Sequence, residues 1–134
     1  MPNKKRIILD TNFLLIPAQF GLDIFTELDK TLDYSYSLFI MDKSLEELKE
    51  ASKQQKGALK EAVKVTLSLV KSMKDNNKLN IIPAKTSYID REILETADKE
   101  TLVATQDLEL RKKLHEKGIK TIVMRQRKHL VIEG

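Results

Sequence analysis

Four acidic side chains stand where a chain of alternating strands and helices would gather them. Asp10 follows the apolar run Ile7-Ile8-Leu9, and Asp107 starts a helix directly after the strand 101–105. Glu47 and Asp90 each fall in the first turn of a helix that follows a strand. If those strands belong to one parallel sheet, all four carboxylates project from the same rim. No basic residue is obviously placed to neutralise them. Like charges held that close either raise a pKa or recruit a cation. Hard oxygen donors without histidine or cysteine point to Mg²⁺ or Mn²⁺. Cysteine is absent and the only histidines are His115 and His129. That excludes a disulfide framework, a thiolate zinc site, a catalytic cysteine and a His-rich metal site.

Each acid also has a plainer reading. Carboxylates are favoured at helix N-termini, and Asp10 with Asn12 could form an Asx turn. Caps account for the acids singly; convergence accounts for the set. Helical angles refine the choice. On the helix after Ser44 the apolar stripe is Leu45, Leu48 and Ala51, so Glu47 lies at its edge and Glu46 points to solvent. Asp90 shares a face with Ile93 and Ala97, which turns it inward and leaves Glu92 and Glu95 elsewhere.

The elements that must position these acids follow from hydrophobic periodicity. Residues 4–10 read as a buried strand, and a short helix within 13–28 carries Phe20, Ile24, Phe25 and Leu28 on one face. Residues 34–41 alternate and then become wholly apolar, a second strand. Ser44-Leu45-Glu46-Glu47 has the form of a capping box, which predicts a helix over 44–52. After Gly57 comes a longer helix with a core stripe of Leu59, Ala62, Val63, Thr66, Leu69, Val70 and Met73, ended by Asn76-Asn77. Then follow a strand at 78–82 stopped by Pro83, a helix at 88–99 and the strand at 101–105. A helix at 107–117 ended by Gly118, and a last strand at 119–124, complete the order. Such alternation predicts a parallel sheet with helices on both faces, and ligands bind beyond the strands' carboxyl ends where strand order reverses.

At 134 residues the chain is read as one domain, 1–134, with 125–134 a basic and then apolar tail. The composition, 41% apolar and 33% charged, is that of a soluble globular protein. No window approaches the ~18 apolar residues of a membrane span. Met1-Pro2-Asn3-Lys4-Lys5-Arg6 has the charge of a signal n-region, but Ile7-Ile8-Leu9 is too short for an h-region. We therefore expect a cytoplasmic protein with no membrane association.

The net charge of +4 comes from the second half of the chain. Arg111, Lys112, Lys113, Lys117, Lys120, Arg125, Arg127 and Lys128 face only Glu116 within 111–128, which suggests a polyanion partner. The plainer reading is a solvated helix face and a basic tail. Aromatics make up 5% of the chain, so base stacking is not expected to dominate binding. Other α/β chemistries fit poorly. There is no Gly-rich phosphate loop and no Gly-x-Ser-x-Gly elbow. The Asp-x-Asp of haloacid-dehalogenase phosphatases is broken by Asn12, and Ile82-Pro83-Ala84 lacks the phosphoacceptor of a receiver domain.

Taken together, Ile7-Ile8-Leu9-Asp10-Thr11-Asn12-Phe13-Leu14-Leu15 resembles the opening of a PIN domain. Leu45-Glu46-Glu47-Leu48 resembles its second motif, Asp90 through Ile93 to Ala97 its third, and Val103-Ala104-Thr105-Gln106-Asp107 its fourth. The ending, from Ile122 to Gly134, looks more like the archaeal branch related to ribosomal-RNA-processing nucleases than a typical VapC toxin. Gln106 stands where Asn or Asp is common, and Arg91 where this branch often has a further acid.

The resemblance implies a three-layer αβα fold with a five-stranded parallel sheet of order 3-2-1-4-5. It also implies metal-dependent cleavage of single-stranded RNA, in rRNA processing or as a VapC-type toxin. Asp10, Glu47, Asp90 and Asp107 would be the catalytic, metal-holding acids for one or two Mg²⁺ or Mn²⁺ ions, with Asn12 and Thr105 orienting them. Arg111, Lys112, Lys113, Lys117, Arg125, Arg127 and Lys128 would hold RNA by its phosphates. A homodimer is the family expectation, and an antitoxin-type inhibitor is a possible partner. The alternative is a PIN-fold RNA- or protein-binding module without catalysis.

Overall fold

Ile7, Ile8 and Leu9 are all buried, as a strand covered on both faces requires. They form β1 (Lys5–Leu9), which pairs in parallel with β2 (Tyr36–Met41) on one side and β4 (Thr101–Ala104) on the other. β3 (Asn80–Ile82) extends the sheet from β2, and β5 (Lys120–Arg125) from β4, both in parallel. This computed structural model describes residues 4–134. Met1, Pro2 and Asn3, which open the stretch with the charge of an n-region, lie outside the described residues.

Side-chain alternation along β1 divides the interior in two. Ile7 and Leu9 join one core with Phe13, Leu28, Ile40, Leu48, Val63 and Val70. Ile8 joins the other with Met41, Ile89, Ile93, Leu110 and Leu114. The first is covered by α1 (Thr11–Leu14), α2 (Ile16–Phe20), α3 (Ile24–Thr31), α4 (Asp42–Gln54) and α5 (Gly57–Asp75). The second is covered by α6 (Ile89–Thr96) and α7 (Leu108–Glu116). This is the expected three-layer α/β arrangement. Among the described residues no helix is long and apolar enough to cross a membrane.

The expected five-stranded parallel sheet is corrected to six strands. The order is β3-β2-β1-β4-β5-β6, and β6 (His129–Glu133) runs antiparallel to β5. The residues read as an apolar tail are therefore an edge strand with Leu130 buried. The hairpin turn gave no sequence signal because Gln126 and Arg127 occupy its centre at φ 54 and φ 56. That geometry ordinarily takes Asn-Gly, and the Lys128 N–H closes it on the Arg125 carbonyl at 3.1 Å.

The capping box is also corrected. α4 begins at Asp42, and Ser44 lies inside it, buried, with its hydroxyl unpartnered. Glu47 consequently stands in the second turn. The segment read as one short helix is three, because Gly21 at φ 69 ends α2 and the Asp23 carboxylate caps α3.

Candidate active site

β1 and β4 are adjacent, and the chain leaves them in different directions, so a crevice opens beyond their carboxyl ends. Asp10 sits at its floor. Its N–H donates to the Ala104 carbonyl at 2.9 Å, which fixes the first turn after β1 against β4. Its Oδ1 accepts the Thr11 N–H at 2.9 Å, and its Oδ2 accepts the Thr105 hydroxyl at 2.7 Å and the Asn12 amide at 3.2 Å. Asn12 Oδ1 in turn accepts the Gln106 N–H at 3.1 Å. Gln106 Oε1 reaches on to the Met124 N–H at 2.8 Å, so the side chain that departs from the common Asn or Asp ties the site to β5.

Asp107 is the N-cap of α7. Its Oδ1 accepts the Leu110 N–H at 3.1 Å, and its own N–H donates to the Thr105 hydroxyl at 3.1 Å. The cap reading and the convergent reading thus hold together for this residue. Asp90 and Glu47 are exposed residues that come in from α6 and α4. All four acids, with Thr11, Asn12, Leu15 and Ile89, line one crevice of about 310 Å³. A larger depression of about 820 Å³ opens at the other end of β2, around Phe25, Tyr36 and Met73. None of the four acids reaches it.

The electrostatics follow from this crowding. Burial pushes the Asp10 carboxyl up from 3.8 to about 6 despite its hydrogen bonds, and the charges of Asp90 and Asp107 add to the rise. Asp90 is raised by partial desolvation and then by Asp107, with Lys113 opposing. Among the described residues no three acidic or histidine side chains are arranged to hold a metal ion in common as they stand. The donor chemistry nonetheless fits a hard cation. It consists of oxygen alone, its negative charge is incompletely balanced, and the buried Thr11 hydroxyl beside Asp10 lacks a partner.

Asp90 does line the crevice, but Glu92 is not the bystander its helical angle implied. Glu92 is buried, and it accepts the Lys85 N–H at 2.6 Å and the Thr86 hydroxyl at 3.1 Å. Its place next to Ile93 and three residues after Ile89 was the available signal. Glu46 pairs with Lys43 at 3.0 Å on the outer face of α4. Arg91 pairs with Glu95 at 3.3 Å.

The basic residues are not equally free. Arg111 and Arg125 both pair with Glu133 on β6. Lys117 donates to the Leu94 and Ala97 carbonyls at the end of α6. Arg127 lies 5.0 Å over the Phe20 ring. Lys112, Lys113 and Lys128 are exposed.

A doubly covered sheet whose switch point carries four carboxylates defines an α/β protein with an acidic, cation-suited crevice. The chain belongs to the PIN-like domain family, whose model matches residues 7–127. It is 32% identical over 133 residues to ribonuclease VapC4 of Methanocaldococcus jannaschii, covering 96% of this chain and 97% of that one. Its fold is similar to the solved structure of the PIN domain endonuclease Utp24. The TM-score is 0.76 at 23% identity, over 96% of this chain and 90% of the other.

Proposed function

We propose that this chain is a divalent-metal-dependent endoribonuclease that cleaves single-stranded RNA in the acidic crevice. The observation that carries the reading is the gathering of Asp10, Glu47, Asp90 and Asp107 on one crevice at the junction of β1 and β4. The name of the VapC4 relative, a ribonuclease, supports RNA as the substrate.

Asp10 is the fixed ligand, since three hydrogen bonds set both of its oxygens before anything binds. Asp107 is held by its own helix end, whereas Glu47 and Asp90 face solvent and can swing inward. One or two Mg²⁺ or Mn²⁺ ions held there would supply Lewis-acid activation of water and stabilise the leaving 3′-oxygen. Lys113 opposes the rise in the Asp90 pKa, so its positive charge is placed to balance an incoming phosphate as well. Neither histidine is needed as a base: His115 Nε2 is engaged with the Thr121 hydroxyl at 2.8 Å, and His129 opens β6.

The test is cleavage of an unstructured RNA by purified protein with Mn²⁺, with EDTA, and with Asp10→Asn. Internal cuts that need Mn²⁺ and vanish in the variant are expected. RNA that stays intact under all three conditions would favour a binding module on the same fold.

A further inference from the structure

Beyond the acids, one exposed aromatic side chain ends a hydrogen-bonded loop and is next in sequence to two residues of the crevice lining. Tyr88 is 69% exposed and directly precedes Ile89 and Asp90, which line the crevice. With Leu108, which is 71% exposed and directly follows Asp107, it is one of the two most exposed large hydrophobic residues described. Hydrogen bonds at Ala84, Lys85, Thr86 and Tyr88 brace the loop before it. The Ala84 N–H donates to Asp42 Oδ1 at 2.9 Å, and the Lys85 N–H to the buried Glu92 carboxylate. The Thr86 hydroxyl donates to the other oxygen of Glu92 and accepts the Tyr88 N–H at 3.2 Å. The Tyr88 carbonyl accepts the Glu92 N–H at 3.0 Å, which closes the first turn of α6.

A carboxylate buried in this way is costly unless its hydrogen bonds are worth keeping. Here they fix the backbone of a loop that ends on a bare aromatic side chain. We propose that Tyr88 is a base-stacking residue. Its ring takes an unpaired nucleobase of the strand whose phosphate enters the acidic crevice, which sets where along the strand the cut falls. The inference rests on the proposed RNA substrate. Stacking tolerates every base because each has a π-face, so it selects for unpaired strands over duplex. A backbone held in place before binding lowers the ordering cost of presenting the ring.

The chain has no tryptophan, so Tyr88→Trp supplies a single fluorescent reporter at this position. In EDTA, where no strand is cut, a short single-stranded RNA should quench it. An abasic ribose-phosphate oligomer of the same length should not. In parallel, anisotropy of the labelled RNA should show Tyr88→Ala binding roughly five- to a hundredfold more weakly, with Tyr88→Phe near wild type. A melt of Tyr88→Ala checks its folding, which so exposed a residue should not disturb. RNA that binds without quenching, or that binds Tyr88→Ala as tightly as wild type, would overturn the stacking role and leave the nuclease reading standing. Wild-type protein that neither binds nor cleaves RNA would overturn both.

Discussion

The Thr105 hydroxyl lies 2.7 Å from Asp10 Oδ2, a buried side-chain contact by which the fourth motif holds the first. The Thr105 hydroxyl oxygen also accepts the Asp107 N–H, so one buried group orients two acids. Thr105→Val keeps the shape and removes the hydroxyl. It should cost about 1–3 kcal/mol of stability, because a buried carboxylate and an N–H each lose a partner. It should also raise the Asp10 pKa further, moving the acid limb of any activity profile to higher pH. Thr105→Ser should restore most of both. Denaturant melts and a pH profile of the three proteins would check this, and an unshifted acid limb in Thr105→Val would remove the positioning role.

The four acids should act as a unit, since removing any one ligand leaves a shared cage incomplete. Asp90→Asn and Asp107→Asn should each abolish Mn²⁺-dependent cleavage, as should Asp10→Asn. On α4, Glu47→Gln should be strongly impaired and Glu46→Gln close to wild type, because Glu46 points outward to Lys43. A dead Glu46→Gln beside an active Glu47→Gln would reverse the assignment of the helix face.

The gathering of the four acids on one crevice was legible in the sequence, and the misreadings around it have physical causes. Asp10 and Asp107 were readable because Asp10 directly follows the apolar strand β1 and Asp107 comes three residues after the end of β4, and the two strands lie side by side. Ser44 misled because its spacing to Glu47 mimics a capping box, while Asp42, two residues earlier, starts α4 and accepts the Ala84 N–H with its carboxylate. Glu92 misled because an angle on a helical wheel cannot reveal that the loop at 85–86 folds back to hydrogen-bond it. β6 was hidden by a turn built on Gln126 and Arg127, neither a residue that announces positive φ.

Asp10 also makes a pH prediction for the metal-free protein. Burial first, and then Asp90 and Asp107, raise its carboxyl from 3.8 to about 6. Between those values the folded chain retains a proton that the unfolded chain has lost, so stability falls as pH rises through the window. Above about 6 the cost is complete, on the order of 3 kcal/mol. Asp23, Asp98 and Glu133 are held below their ordinary values by hydrogen bonds, so their gains lie at lower pH. Urea midpoints in EDTA should therefore drop from pH 4.5 to pH 7, and saturating Mn²⁺ at pH 7 should recover much of the loss. A midpoint that rises steadily over this range would mean that Asp10 is not strained by its surroundings.

Among the basic side chains, the pairing pattern sorts binding from structure. Lys112→Ala with Lys113→Ala should weaken RNA binding and flatten its salt dependence by about 0.7 log units for each phosphate no longer neutralised. Lys117→Ala should instead act on stability, since its ammonium closes the end of α6 through the Ala97 carbonyl at 2.9 Å. Binding isotherms across a salt series, with melts of the same proteins, separate the two effects. An unchanged slope in the Lys112 and Lys113 variant would place the RNA path elsewhere.

A cation site and a set of helix caps differ in how the fold responds to metal alone. A ligand at about ten times its dissociation constant stabilises by RT ln 11, about 1.4 kcal/mol. With an unfolding entropy of about 2.1 cal/mol/K per residue, this chain should gain roughly 5 °C in Tm when Mn²⁺ is supplied at that level. Asp107→Asn makes the comparison sharp, because asparagine caps a helix about as well as aspartate. The variant should keep the cap to the Leu110 N–H and lose one of the charges that crowd Asp10. Its metal-free Tm should match or slightly exceed wild type, and most of the Mn²⁺ gain should vanish. If the carboxylates were caps alone, neither protein would respond to Mn²⁺. Paired melts in EDTA and in Mn²⁺ decide the matter without any RNA, and a wild-type Tm unmoved by millimolar Mn²⁺ would remove the metal from the proposed mechanism.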